Sequence, residues 1–264
     1  MTSNDTSDGL ILVCGDATGS ADTYLSALRS ADRAVHGLVI GANTTPAADT
    51  TTVTRKNVLD PDALNGVLDK IETDGGRIGS VVIAVPTTTE PLAAESLSDA
   101  TWERAVEDVL TRTFVLTQAV GNRLIQRVGG SIVIVSTLNS LSGAAGYSHL
   151  CAAAAGIVGL VRTTAIEWGS SGVRINLIAT PPLAADLIDP TVRAEVHDRT
   201  PLAELVSPSD VVAAITYLLG TGSSRVTGAT LVIDAGLSAG MITRWHGADY
   251  ASNALLERGV YAER

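Results

Sequence analysis

The chain has 264 residues, of which 45% are hydrophobic and only 3% aromatic, and it carries a formal net charge of −10. That length fits one α/β domain able to bury an aliphatic, alanine-rich core without disulfide or metal staples. The acidic balance, with arginine well in excess of lysine, argues against a nucleic-acid or anionic-membrane surface.

Cys14 and Cys151 match neither a disulfide framework nor a metal-ligand spacing, so both read as buried reduced thiols and no metal is expected. No charged-then-apolar leader opens the chain, and no apolar stretch reaches membrane-spanning length without interruption. The expectation is a soluble, cytoplasmic protein.

Residues 1–9 read as a polar lead-in, residues 10–240 as the folded domain, and 241–264 as a C-terminal extension. Strands are expected at Leu10–Cys14, Val35–Ile40, Thr52–Val58, Val81–Val85, Ser131–Ser136, Val173–Ala179 and Thr230–Ile233. Helices are expected at Ala21–Ser30, Asp60–Asp74, Ala100–Arg127, His149–Trp168 and Pro208–Leu219. Strands alternating with helices imply one doubly wound, Rossmann-type parallel sheet with helices on both faces. Ser207-Pro208 supplies an N-cap followed by proline at the first helical position. Trp102, Val106, Val109, Thr113, Phe114, Thr117 and Val120 form an amphipathic stripe along the middle helix. The helix His149–Trp168 is small or apolar on nearly every face, which predicts cover on both sides. The extension carries Trp245, His246, Tyr250 and Tyr261, and so many rings in an aromatic-poor chain suggest a docking segment.

The stretch from Gly130 to Ala179, with its small-residue helix and the following Gly-Val-Arg-Ile-Asn strand, resembles the short-chain dehydrogenase/reductase family, and the likeness spans about residues 9–240. The resemblance implies a catalytic set of asparagine, serine, tyrosine and lysine. Here those positions hold Val109, Thr137, Leu150 and Ala154. Acid–base catalysis needs a titratable group within hydrogen-bond reach of the reacting oxygen, and of the four only Thr137 keeps a usable hydroxyl. An alternative register makes Tyr147 the acid, but Cys151 lies four residues on. The only lysines, Lys56 and Lys70, lie far upstream. His149 is a candidate surrogate base, since histidine titrates near neutrality. His36, His197 and Asp186 stand in no constellation.

The family's nicotinamide dinucleotide binds at the first strand–helix turn. The glycine pattern there survives as Gly15 and Gly19, with Ala21 in the third place and Asp16 inside the loop. The end of the second strand, Ile40-Gly41-Ala42-Asn43, offers neither the acid nor the arginine that selects between the two nicotinamide cofactors. Asn57 stands for the adenine-side aspartate. Ile83-Ala84-Val85-Pro86 replaces Asn-Asn-Ala-Gly, and Thr180-Pro181 replaces Pro-Gly, whereas Asp234-Ala235-Gly236 is kept.

These departures lead to the expectation of a catalytically inactive homologue with no catalytic residues and only a vestigial cofactor loop. Its role would be the structural subunit of a heteromeric dehydrogenase, with an acyl-CoA thioester as one substrate context. Its partners would be an active family member, a second copy of itself, or both, through helices 100–127 and 149–168, without nucleic acid or membrane. Two alternatives stand beside this: a divergent NAD(P)-dependent oxidoreductase using Thr137, water or His149, and a ligand-binding regulatory protein.

Overall fold

The computed structural model describes residues 9–16, 20–29, 33–41, 50–86, 91–127, 129–183 and 190–239. Its seven strands are β1 (Leu10–Asp16), β2 (Val35–Ile40), β3 (Thr50–Val53), β4 (Ile78–Ala84), β5 (Gly130–Thr137), β6 (Val173–Thr180) and β7 (Thr230–Val232). They form one parallel sheet in the order β3-β2-β1-β4-β5-β6-β7.

Both faces are covered, which explains why the strands read as continuous apolar runs. Ile132 and Ile134 enter one core, while Val133 and Val135 enter the other. The first core lies under α2 (Arg55–Leu59), α3 (Pro61–Gly75), α5 (Arg112–Gln126) and α6 (Ser148–Trp168), the second lies under α1 (Ser20–Arg29) and α8 (Pro208–Leu219), and α4 (Asp99–Ala105) leads into α5. A further helix, α7 (Pro190–Asp198), follows β6 and was not expected from the sequence.

Two local differences have clear causes. The third strand ends at Val53 rather than running to residue 58, because Thr54 starts a helix. Its hydroxyl accepts the Asn57 amide at 3.2 Å, and the Asn57 side chain accepts the Thr54 amide at 3.2 Å. That reciprocal pair is a capping box, stronger locally than the strand propensity of the threonine run. It also occupies Asn57, the residue expected to meet adenine.

The middle helix is broken by a wide turn over Val106–Thr111, with i→i+5 bonding between α4 and α5. Such insertions re-aim side chains and are frequent at functional sites. The expected cap at Ser207 is present: its hydroxyl accepts from the Asp210 amide and its own amide donates to the Asp210 carboxylate at 2.8 Å.

Helix α6 is long and apolar enough to span a bilayer by length and composition, yet half of it is buried within the fold. It packs on β6, the wide turn and α5. Gly156 permits the approach, since a Cβ there would lie 2.8 Å from Leu110. Within the chain the outer face of α6 is open, with Ile166 83% exposed. The retained Gly-Val-Arg-Ile-Asn segment is structural. Buried Asn176 donates to the Val226 carbonyl at 2.9 Å and accepts from the Ala229 amide at 3.1 Å, pinning β6 to the β7 approach. Residues 1–8 and the extension from 240, with Trp245, His246, Tyr250 and Tyr261, lie outside the described residues.

Candidate active site

In an open α/β sheet the carboxyl ends of the strands frame the ligand crevice, at the point where the strand order reverses. Here β1 is flanked by β2 and β4, so the crevice opens beside Asp16, the last residue of β1. Two cavities lie along that edge.

The smaller, about 240 Å³, is lined by Ser136 and Thr137 from the end of β5, by Asn139 and Tyr147 beyond it, by Thr180 and by Leu150. Thr137 is buried and caps the short 3-10 turn Leu138–Ser140, its Oγ1 accepting the Asn139 amide at 3.3 Å. Among the described residues no acceptor takes its own proton, so the hydroxyl is available to donate. Ser136 Oγ is buried without a hydrogen-bond partner. The Thr180 hydroxyl, by contrast, is spent on the Pro181 carbonyl at 3.2 Å.

Tyr147 is half-buried and immediately precedes α6, whose N-terminal amides no side chain caps. The phenol of Tyr147 and that of Tyr24 are the titratable groups that line this cavity, and no charged side chain does so among the described residues.

The larger cavity, about 500 Å³, opens on the other flank. Asp16, Ile40 and Gly41 form its strand-end wall; Arg104, Asp108 and Arg112 form its helical wall, and His149 reaches it from α6. Asp108 pairs with both Arg112 and Arg55, the latter at 3.1 Å.

The sequence candidates therefore separate. Thr137 and Leu150 meet in the smaller cavity, Leu150 as a wall residue. Val109 and His149 line the larger one, so His149 is not a partner of Thr137. Ala154 is fully buried in the core and lines neither cavity. His36 hydrogen-bonds Thr51 at 3.0 Å across β2 and β3, and His197 lies 3.5 Å from Asp198 on α7; neither faces a catalytic group. Gly19 and Asp186 fall outside the described residues. Tyr147 is the residue that the sequence reading set aside for want of a lysine. Its place at the mouth of the small-residue helix, ten positions after Thr137, was the available signal.

The end of β1 packs closely on the start of α1. A Cβ on Gly15 would fall 2.3 Å from the Ala21 Cβ and 3.2 Å from the Ala84 Cβ. Gly15 thus leaves room for the side chain of Ala21. Asp234 closes the last strand as a turn cap, accepting from the Gly236 and Ser238 amides at 2.9 and 2.7 Å. Burial alone would raise its pKa, but these bonds outweigh it and hold the carboxyl below the usual range.

A family model described as enoyl-(acyl carrier protein) reductase matches residues 34–238. The cis-4-hydroxycyclohexanecarboxylate dehydrogenase of Sinomonas cyclohexanicum is 30% identical over 236 residues, covering 88% of each chain. The 3-oxoacyl-[acyl-carrier-protein] reductase of Thermotoga maritima is 30% identical, covering 69% of this chain and 74% of its own. In fold, the aldohexose dehydrogenase of Thermoplasma acidophilum superposes with a TM-score of 0.77 at 20% identity, over 91% of this chain and 98% of the other.

These relatives overturn two expectations. A catalytically inactive subunit is not what the similar proteins are; they are named dehydrogenases and reductases. The expectation of no cofactor fails with it, because the matching family is one of NAD(P)-dependent enzymes. The expectation gave the changed tyrosine and lysine positions, Leu150 and Ala154, more weight than the hydroxyl kept at Thr137.

Proposed function

The chain belongs to the short-chain dehydrogenase/reductase family, and we propose that it is a divergent NAD(P)-dependent oxidoreductase that interconverts a carbonyl and an alcohol in the smaller cavity. One observation carries the reading: Thr137 and Tyr147 line a single cavity at the carboxyl edge of the sheet. Thr137 donates a hydrogen bond to the substrate oxygen and fixes its orientation. Tyr147 gives that oxygen its proton in reduction and takes it back in oxidation, the role that acid–base catalysis demands of a positioned titratable group. Leu150, Val85 and Leu183 keep water from the reacting carbon. The bound nicotinamide supplies or accepts the hydride. The Gly15–Ala21 turn, the α1 N-terminus and Gly41 would hold its dinucleotide, and Thr180–Leu183 would border its reactive ring. With no charged lining residue described, the cavity suits a neutral end of the substrate, whether a cyclic ketone or the 3-oxo end of an acyl thioester.

The test is turnover of cyclic secondary alcohols and 3-oxoacyl thioesters with both nicotinamides, beside calorimetric titration of NADH and NADPH. Activity should fall about a hundredfold in Tyr147→Phe and in Thr137→Val. Absence of both turnover and cofactor binding in the unmodified chain refutes the proposal. The open faces of α5 and α6, with Phe114 and Ile166 exposed, support self-association through these helices.

A further inference from the structure

A third cavity, of about 530 Å³, shares no lining residue with the other two. It is a groove between α7 and the segment Ala203–Leu205, with Pro190, Ala194, Ala203 and Leu205 as its apolar wall. Arg193 and Glu204 also line it, and neither forms an ion pair among the described residues. Leu202, beside Ala203 in the chain, is 73% exposed.

The groove is fastened to the turn from which the chain leaves the sheet. The Leu202 amide donates to the Ala235 carbonyl at 3.2 Å, and Gly236 meets Pro201 so closely that a Cβ on it would fall 2.9 Å from the proline ring. Ala203 and Ala235 both hold left-handed backbone, with φ of 54° and 52°, a conformation that alanine keeps only where its surroundings impose it. The Ala239 amide donates to the Gly236 carbonyl at 3.1 Å, so Ala239, where the described chain ends, belongs to the same turn.

Residues 240–264 carry one of the chain's three tryptophans and two of its five tyrosines. Trp245 comes six residues after Ala239, and Arg244 precedes it. Six extended residues reach roughly 20 Å, enough to bring the ring from that turn to the groove. An indole suits an apolar recess, because a large ring buried at a contact dominates its energetics. The arginine beside it complements Glu204, and the Arg193 guanidinium on the wall can stack on the ring.

We infer that the C-terminal extension docks in this groove of its own chain, with Trp245 on the apolar wall beside Arg193 and with Arg244 at Glu204. The extension thereby fastens α7, which follows the Thr180–Leu183 wall of the smaller cavity, to the end of the sheet. The contact does not depend on turnover in that cavity.

The experiment measures acrylamide quenching of tryptophan fluorescence in the full chain, over a range of protein concentrations. The difference between the unmodified chain and Trp245→Phe isolates Trp245 from Trp102 and Trp168. Trp245 should be protected from the quencher relative to free indole, equally at all concentrations. Ala194→Glu, at an exposed position, places a carboxylate on the apolar wall and should raise its quenching severalfold. Glu204→Lys, also exposed, sets like charges together at Arg244 and should raise it as well. Quenching of Trp245 equal to that of free indole in the unmodified chain, or quenching unchanged in both variants, overturns the inference. Protection that is lost on dilution places the ring on a second copy and overturns the assignment to its own chain.

Discussion

Restoring the residues that the family keeps on α6 should damage this protein at one position and not at the other. Leu150 lines the smaller cavity of about 240 Å³, so in Leu150→Tyr the ring has space to enter. Ala154 is 0% exposed within the main core and borders no cavity, so Ala154→Lys must force four methylenes and an ammonium into closed packing. Overpacking of that kind costs about 1–3 kcal/mol, and a buried unpaired ammonium adds several more. The sum, about 4 kcal/mol or more, is a large part of the ~5–15 kcal/mol that holds a domain together. It corresponds to a fall in Tm on the order of 10 °C for a chain of this size. Leu150→Tyr should cost about 1 kcal/mol or less, since the added ring meets space. Thermal and urea unfolding of both single variants and the double variant measures this directly, and turnover assays on the same preparations show whether catalysis gains. The double variant should be less stable than the unmodified chain and no more active. An Ala154→Lys variant with unchanged Tm would mean that position 154 opens on the cleft; a gain in turnover would then show that the lysine role is vacant and the assignment of Tyr147 superfluous.

Three further outcomes are expected. Glu72, largely buried, bonds Arg127 at 2.8 Å, lies 3.6 Å from Arg123 and accepts the Ile78 amide at 2.9 Å. Its burial alone would raise the carboxyl pKa, but the Arg127 and Ile78 bonds and the two guanidinium charges hold it below the usual carboxylate range. A lowered folded pKa gives stability that is present above the unfolded value and lost as the pH falls through the folded one. Glu72→Gln should therefore cost about 2 kcal/mol at neutral pH and show a shallower acid limb in denaturation; identical acid limbs would remove Glu72 from the account. Cys14, whose thiol burial pushes up to about 12, should resist thiol reagents in the native protein while half-buried Cys151 reacts, and equal labelling of both would contradict the packing of β1. Ile166→Glu should lower the mass seen in sedimentation without unfolding the chain, whereas Val161→Glu, at a 1% exposed core position, should unfold it; a monomer before any substitution would rule out the interface on α6.

Much of the sheet was legible because a parallel strand covered on both faces must be apolar throughout, and short runs such as Val35–Ile40 admit little else. The boundaries that sequence missed are those set by side-chain bonds to backbone. Thr54 ends β3 because it caps α2 with Asn57, which composition alone reads as more strand. The wide turn at Val106–Thr111 leaves the apolar stripe nearly undisturbed, so periodicity passes over it. Helix α7 has a weak amphipathic pattern and lies after a proline-rich loop, where local propensity competes poorly with turn signals.

The site was harder because catalytic chemistry belongs to a position in space, and sequence comparison reads it at a position in the chain. Counted along α6, the catalytic set is gone: Leu150 and Ala154 carry no proton. Located in the fold, Ser136, Thr137 and Tyr147 still line one cavity of the crevice. The helix register explains how both statements hold. Tyr147 precedes the first turn of α6 and Leu150 lies three residues on, and residues three apart share a helix face. Tyr147 and Leu150 line the same cavity. His149, between them in sequence, is turned about 100° around the helix and so faces the other cavity. The turn of the helix thus sets His149 on the wall of one cavity and Leu150 on the wall of the other, apart from each other although adjacent in sequence.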